Sequence, residues 1–415
     1  MKNLWRSGLV FTAMSFLTLI IHYGFQIIVS PQLGGSDGEF GLVLATLVLI
    51  NFLGLPQQIA SQAITHYIAR FHFSGEDARL HGLLAGCRKF LLHVTIAGSI
   101  LAILLIKPVG DYFNLPRLSL TMVSLVCVLA GLWAAYLTAL CSGLGWFKRL
   151  ALIGFLAAVL RVLFGFFTTR IWPLAELAVA ASLVMILANL VLFFWKKEFP
   201  RRTEKSISPW TPEFKQFLIV SAAWAIGSNL FAQGDLLVAK KYFSKTELDA
   251  YASAGLLARA LTTAAGPLLT VLFTYRSSRP HGDALAEQLK LMGFYAASLV
   301  GGALCLYCLR GFCLQLLHRN TPEAADMIGR FASTMVWVGL LQALGTWSLA
   351  SRWIKISLLY GGLGIVYWLA LFLLGRSPVN MLHVMPLAAG LAFGILFIVW
   401  VVAMRTHQIS APEQT

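Results

Sequence analysis

The sequence predicts an all-α, polytopic membrane protein of about twelve transmembrane helices, arranged as two six-helix lobes related by a pseudo-two-fold repeat. Three observations predict it. Of 415 residues, 58% are hydrophobic and only 12% charged, with a mean hydropathy of +0.77, outside the range of soluble domains. The apolar residues fall into runs of about 20, the length a helix needs to cross ~30 Å of hydrocarbon. The longest inner break, KKEFPRRTEKSISPWTPEFK at 196–215, is basic, carries three prolines and separates six runs from six. Ten-residue units of strand-like alternation are absent, which argues against a barrel.

The spans are expected at 8–30, 39–68, 84–106, 118–141, 149–168 and 172–195 in the first half. The second half supplies 214–240, 248–275, 288–309, 325–350, 354–374 and 380–404. The first follows Lys2 and Arg6 as a signal peptide would, but it is too long for an h-region and no small-residue cleavage site follows, so it reads as a retained helix. The domains are then an N-terminal lobe at 1–196, a cytoplasmic linker at 197–213, a C-terminal lobe at 214–405 and a cytoplasmic tail at 406–415.

An offset of 211 residues supports the repeat: Phe40-Gly41 falls on Tyr251-Ala252, Pro56 on Pro267, and Gln32-Leu33 on Phe243-Ser244. An even number of spans per half makes the halves parallel, and transporters commonly place substrate between such repeats. Pro56 and Pro267 each sit mid-span, where a missing backbone donor invites a kink; they are candidate hinges, or prolines tolerated without a role in motion.

With the N-terminus inside, 20 Lys and Arg fall on inner segments and 9 on outer ones, which leaves Arg161, Arg259 and Arg330 within spans. Both termini are therefore expected in the cytoplasm. This bias accounts for most of the +15 net charge without a nucleic-acid partner, and anionic headgroups of the surrounding lipids suit it. The six cysteines lie in or beside spans, so neither a disulfide framework nor a metal site is expected, Cys305-x-x-Cys308 included.

Polar residues concentrate in the first two spans of each half. Span 1 holds Ser15, His22 and Gln26; span 2 holds Asn51, Gln58, Gln62 and His66 on one helical face. Span 7 holds Asn229, Gln233 and Asp235, and span 8 holds Arg259, Thr262 and Thr263. Amide stripes in a bilayer must face protein or water, so these spans are expected to line a polar cavity between the halves; the bland alternative is hydrogen bonding from helix to helix.

A carboxylate at membrane depth needs a partner or a wet cavity. Asp235 lies roughly 12 Å below the turn joining spans 7 and 8, and Arg259 roughly 18 Å below it on the returning helix, so the two are expected to form an ion pair or share a wet site. The pair is either a transport site or a staple that keeps the helices in register. Arg161 is a second deep cation, and Lys240 and Lys241 stand at the outer mouth of span 7, where they line the cavity or snorkel. Four cations against one acid suit an anionic cargo, phosphate in particular, because a guanidinium grips it bidentately.

The stretches QLGGSDGEFGLVLAT and GDLLVAKKYFSKTELDAYASAGLLAR resemble polysaccharide flippases of the multidrug/oligosaccharidyl-lipid/polysaccharide exporter superfamily. The first carries that family's Leu-Gly…Phe-Gly pattern; the second is similar to its helix-seven Asp, Tyr-Ala-like entry to helix eight and downstream Arg. The resemblance implies a V-shaped pair of lobes in the bacterial inner membrane. Such a protein flips an undecaprenyl-diphosphate-type lipid-linked oligosaccharide outward by alternating access, driven by H+ or Na+ and without a cofactor. It further implies Arg259 as a cavity arginine, Asp235 as the coupling acid, and a polysaccharide polymerase with chain-length machinery as partners. Gly34-Gly35 departs from the commoner Gly-Pro or Gly-Thr pair. Twelve spans are expected and not fourteen, which within this resemblance points away from the peptidoglycan-precursor branch and toward O-antigen, capsule or exopolysaccharide.

A cation-coupled multidrug antiporter of the same superfamily is the alternative, although its cavity should carry uncompensated acids. A membrane-embedded polymerase or glycosyltransferase needs a large outer loop or a carboxylate pair. Glu76-Asp77 sits instead in an inner loop, and no phosphate-binding Gly-rich loop is present, so no enzymatic activity is expected.

Overall fold

The computed structural model describes residues 2–33, 43, 46–47, 50–112, 115, 117–194, 212–278, 285–316 and 322–409, and these are helical apart from short turns. In chain order the helices are α1 (Lys2–Leu33), α2 (Leu55–Phe73), α3 (Asp77–Tyr112), α4 (Leu118–Gly143), α5 (Phe147–Ile171), α6 (Ala175–Phe194), α7 (Pro212–Tyr242), α8 (Lys245–Ser278), α9 (Leu285–Cys308), α10 (Arg310–Leu316), α11 (Pro322–Ala350), α12 (Ile354–Leu374) and α13 (Pro378–Ile409). Eleven of the described helices are long and apolar enough to cross a membrane. The twelfth expected span corresponds to α2, whose amides dilute its hydropathy. Its first part, with residues 39–42, 44–45 and 48–49, lies outside the described residues, as do the entry-loop glycines and most of the linker.

Two elements differ from the sequence expectation. Helix α3 begins at Asp77, seven residues before the expected span, because Asp77, Arg79 and His81 make that first stretch a polar helix that an apolar count overlooks. Helix α10 was not expected; it is a seven-residue continuation of α9 past a turn at Leu309.

The chain divides into two compact units, Met1–Leu218 and Ile219–Thr415. In the first, α1 packs on α5, α5 on α6, α2 on α4, and α4 on α6. Phe25, Val29, Leu33, Leu120, Ala178 and Val179 form its core. Helix α3 presents Ile100, Ile103 and Leu104 outward, as a lipid-facing helix does. In the second unit α11 is central, against α8, α9, α12 and α13, with Phe331, Met335, Leu341 and Trp347 fully buried.

The same turn ends α2, α4 and α11. Trp146 N–H donates to Cys141 O at 2.8 Å and Gly145 N–H to Ser142 O at 3.1 Å; Trp353 N–H donates to Ser348 O at 2.9 Å and Arg352 N–H to Leu349 O at 3.0 Å. This is the Schellman pattern, which needs a left-handed residue after the helix. Gly75 (φ 73°) and Gly145 (φ 72°) supply it without strain, whereas after α11 it is Arg352 (φ 58°). The α4–α5 and α11–α12 connections thus share one turn geometry, which also ends α2.

At Pro56 the helix is interrupted: residues 50–53 are helical, Gly54 forms a turn, and α2 restarts with Pro56 in its first turn. Pro267 lies inside the continuous helix α8.

Candidate functional site

The α7–α8 hairpin builds the principal site. Ser244 caps α8: its hydroxyl accepts from Glu247 N–H at 3.4 Å, while the Glu247 carboxylate accepts from Ser244 N–H at 2.9 Å and from the hydroxyl at 2.8 Å. This reciprocal box fixes where α8 starts, and with it the height of Arg259 beside α7.

Arg259 and Asp235 form an ion pair, Nη2 donating to Oδ2. Asp235 is fully buried, so the two share a protein-lined site rather than an open one. The Tyr251 hydroxyl donates to the same Oδ2 at 2.7 Å and lies 3.2 Å from Met385 Sδ. Arg259 Nε donates to Ala232 O at 2.9 Å, and the guanidinium lies 5.7 Å from the Phe331 ring centroid. Gly255 makes room for it, since a Cβ there would stand 2.6 Å from Arg259 Nη1. Asp235 Oδ1 is buried without a partner among the described residues, and so is the Tyr367 hydroxyl. The arrangement is a charge-compensated acid–base pair with one carboxylate oxygen left without a partner among the described residues.

A second centre lies in the first unit. Arg161 on α5 is 8% exposed. Its Nη1 lies 3.1 Å from His22 Nδ1, and its Cζ sits 4.3 Å from the Phe25 ring centroid. As the guanidinium can only donate, Nδ1 accepts and the imidazole is neutral in this contact. No carboxylate among the described residues lies within ion-pair distance of Arg161, and its Nε finds no acceptor.

The other expected residues are dispersed. Gln58, Gln62 and Gln233 are half-buried, Asn51 is exposed, and His66 is buried with its ring stacked 4.3 Å from Phe217. Lys241 is exposed with Nζ 4.6 Å from the Phe372 ring centroid, while the side chain of Lys240 lies outside what is described.

Sequence reasoning missed Tyr251 and Gln57. Tyr251 precedes Arg259 by eight residues, two helical turns, so it shares the arginine's face. Gln57 donates to Val128 O at 2.5 Å, in line with Ser61 and Thr65, which reach Ala135 O and Ala139 O at 3.4 Å. Their spacing of four marks the stripe that ties α2 to α4, one position from the face expected to be polar.

No family model and no curated sequence matches the chain. Solved structures do. An outward-facing multidrug resistance MATE family transporter of the MOP superfamily aligns at TM-score 0.76 and 12% identity, over 98% of this chain and 97% of its own. A MATE transporter from Vibrio cholerae in the bent form aligns at 0.70 and 12%, over 98% of each chain. A MOP superfamily transporter from Pyrococcus furiosus, described as having a binding pocket of reverse polarity that suggests a different function, aligns at 0.68 and 13%, over 95% of each. These neighbours are transporters and not enzymes. The chain thus has the all-helical, two-lobed fold of MATE transporters of the MOP superfamily.

Proposed function

We propose that this chain is a flippase that moves a polyprenyl-diphosphate-linked oligosaccharide outward across the bacterial inner membrane by alternating access. The observation that carries the reading is the charge of the two centres: Arg161 is buried, Arg259 is 13% exposed at its side chain, and Asp235, the acid paired with Arg259, is already engaged. A buried cationic site suits a diphosphate and repels a cationic drug. In this reading Arg259, Arg161, Lys240, Lys241 and His22 meet the phosphates, while Asn51, Gln58, Gln62 and Gln233 meet sugar hydroxyls. Asp235 exchanges the coupling H+ or Na+ as Arg259 turns to cargo, and Pro56 and Pro267 are the hinges. The lobe boundaries near 196 and 214, the cytoplasmic termini and a downstream polymerase with chain-length machinery belong to the same proposal.

One observation favours a second reading. The solved neighbours include multidrug transporters, and the open Oδ1 of Asp235 is an acceptor that a cationic drug could use. Arg259→Ala and Asp235→Asn, expressed at normal membrane levels in the native host, separate the two. A flippase is expected to accumulate lipid-linked repeat units on the cytoplasmic leaflet in Arg259→Ala, with surface polysaccharide reduced at least tenfold. Normal polysaccharide with increased drug sensitivity in Asp235→Asn would overturn the flippase in favour of the antiporter.

A further inference from the structure

We propose that Arg161, with His22 and Gln26, forms an oxyanion-binding site inside the first unit, separate from the Asp235–Arg259 pair. Arg161 is 8% exposed and the Arg259 side chain 13%, but the two differ in what surrounds them. Arg259 has a carboxylate, a carbonyl and a tyrosine-buttressed neighbour, and is electrostatically complete. Arg161 has one neutral imidazole at 3.1 Å and one aromatic face at 4.3 Å, and its Nε is unsatisfied among the described residues. Neither contact neutralises a unit charge, and an uncompensated buried ion costs several kcal/mol.

No ion pair with a described carboxylate supplies the missing charge. Glu176, the buried carboxylate among the described residues of this unit, is paired through Oε1 with Arg117 at 2.8 Å and the Ser119 hydroxyl at 2.9 Å. A second observation points the same way. Gln26 stands one turn from His22 on α1, and its side-chain oxygen is buried without a partner. Oxygen and nitrogen of that amide exchange by a flip, which would present an NH2 donor instead. Guanidinium, imidazole N–H and amide N–H2 make a donor set that fits a phosphate or diphosphate oxygen. Gly165 adds to the construction, because a Cβ there would come within 2.3 Å of the Phe25 ring that supports Arg161.

The site stands on geometry alone; only the identity of its occupant as the diphosphate of a lipid-linked glycan rests on the proposed flippase function. The test uses the full chain in phosphatidylcholine nanodiscs, with inorganic pyrophosphate as probe and thermal unfolding followed by intrinsic fluorescence. Pyrophosphate is expected to raise the unfolding midpoint of the wild type and of Arg330→Gln. Arg161→Met should unfold no lower than wild type without the anion, because it removes an uncompensated charge, and should lose the pyrophosphate response. Arg161→Lys keeps the charge without the fork, so its pyrophosphate affinity should fall about tenfold, or about 1.4 kcal/mol. An equal response in Arg161→Met and wild type, no response in the wild type, or a strongly destabilised Arg161→Met would each overturn the site, the last by making Arg161 a structural residue. Nanodiscs containing phosphatidylglycerol identify the source: an Arg161-dependent rise without pyrophosphate marks a lipid headgroup, and its absence marks a free or cargo-borne phosphate. Should the response require Arg161 while Arg161→Met cells export polysaccharide normally, the site stands and the flippase reading falls.

Discussion

Asp235 accepts from Arg259 and Tyr251 on one oxygen and leaves the other open. Removing its charge leaves the Arg259 guanidinium uncompensated in a buried site, a loss of about 3–5 kcal/mol, whereas replacing both partners by apolar side chains removes the two charges together. In thermal unfolding Asp235→Asn should therefore fall well below wild type, and the double variant Asp235→Leu with Arg259→Met should recover most of the difference. Tyr251→Phe deletes a hydrogen bond to a charged acceptor and should cost about 1.5–3 kcal/mol. Arg352 is the opposite case: a non-glycine residue at φ 58° where the equivalent turns carry glycine. Arg352→Gly should raise stability by about 1 kcal/mol by removing left-handed strain. The ion pair was legible in the sequence because a carboxylate inside an apolar run must find a partner, and the hairpin limits which cation can reach it. Tyr251 was not legible, since a tyrosine within an apolar helix gives no sign of whether its hydroxyl is engaged.

Between elements, small residues set the distances. A Cβ on Gly364 of α12 would lie 2.6 Å from Gly227 Cα on α7, and one on Gly361 would lie 2.6 Å from Ala223 O. Close backbone approach of this kind gives membrane helices packing that lipid cannot replace. Gly364→Val should cost about 1–3 kcal/mol through overpacking, while Gly362→Val on the same helix, with nothing within 4 Å, should change the midpoint little. The start of α8 carries a pH dependence. Hydrogen bonds from the Ser244 backbone and hydroxyl hold the Glu247 carboxyl below the usual carboxylate range. A lowered folded value means that the cap's contribution is complete above the unfolded carboxylate value, ~4.3, and fades as pH falls through the lower one. Amide exchange across 245–250 should quicken over that acidic window, and Glu247→Gln should abolish the dependence. The positions of the spans were readable from length and hydropathy. The polar α2 and the inner extension of α3 were not, because a mixed helix that ends at a headgroup resembles a loop by composition.

Over the whole chain, covalent continuity and packing divide at different places. The linker expected at 197–213 ends where α7 starts, yet the first two turns of α7 belong with the first unit. Phe214 lies 5.1 Å from the Tyr67 ring and Phe217 4.3 Å from the His66 ring, and Glu213 approaches Arg70 at 3.7 Å. The sequence gives no sign of this docking, since Phe214 and Phe217 read there as the ordinary beginning of a span. Buried aromatic pairs contribute ~0.5–1.5 kcal/mol each beyond their area, whereas the exposed Arg70–Glu213 pair adds little. The aromatic contacts, not the linker peptide, should then anchor the start of α7 to α2. A chain cut at 204/205 and expressed as two fragments should co-purify from the membrane, and Phe214→Ser with Phe217→Ser should separate the fragments while Glu213→Gln should not. If the doubly substituted fragments still co-purify, the anchor is elsewhere and the aromatic cluster serves only the folding of α2.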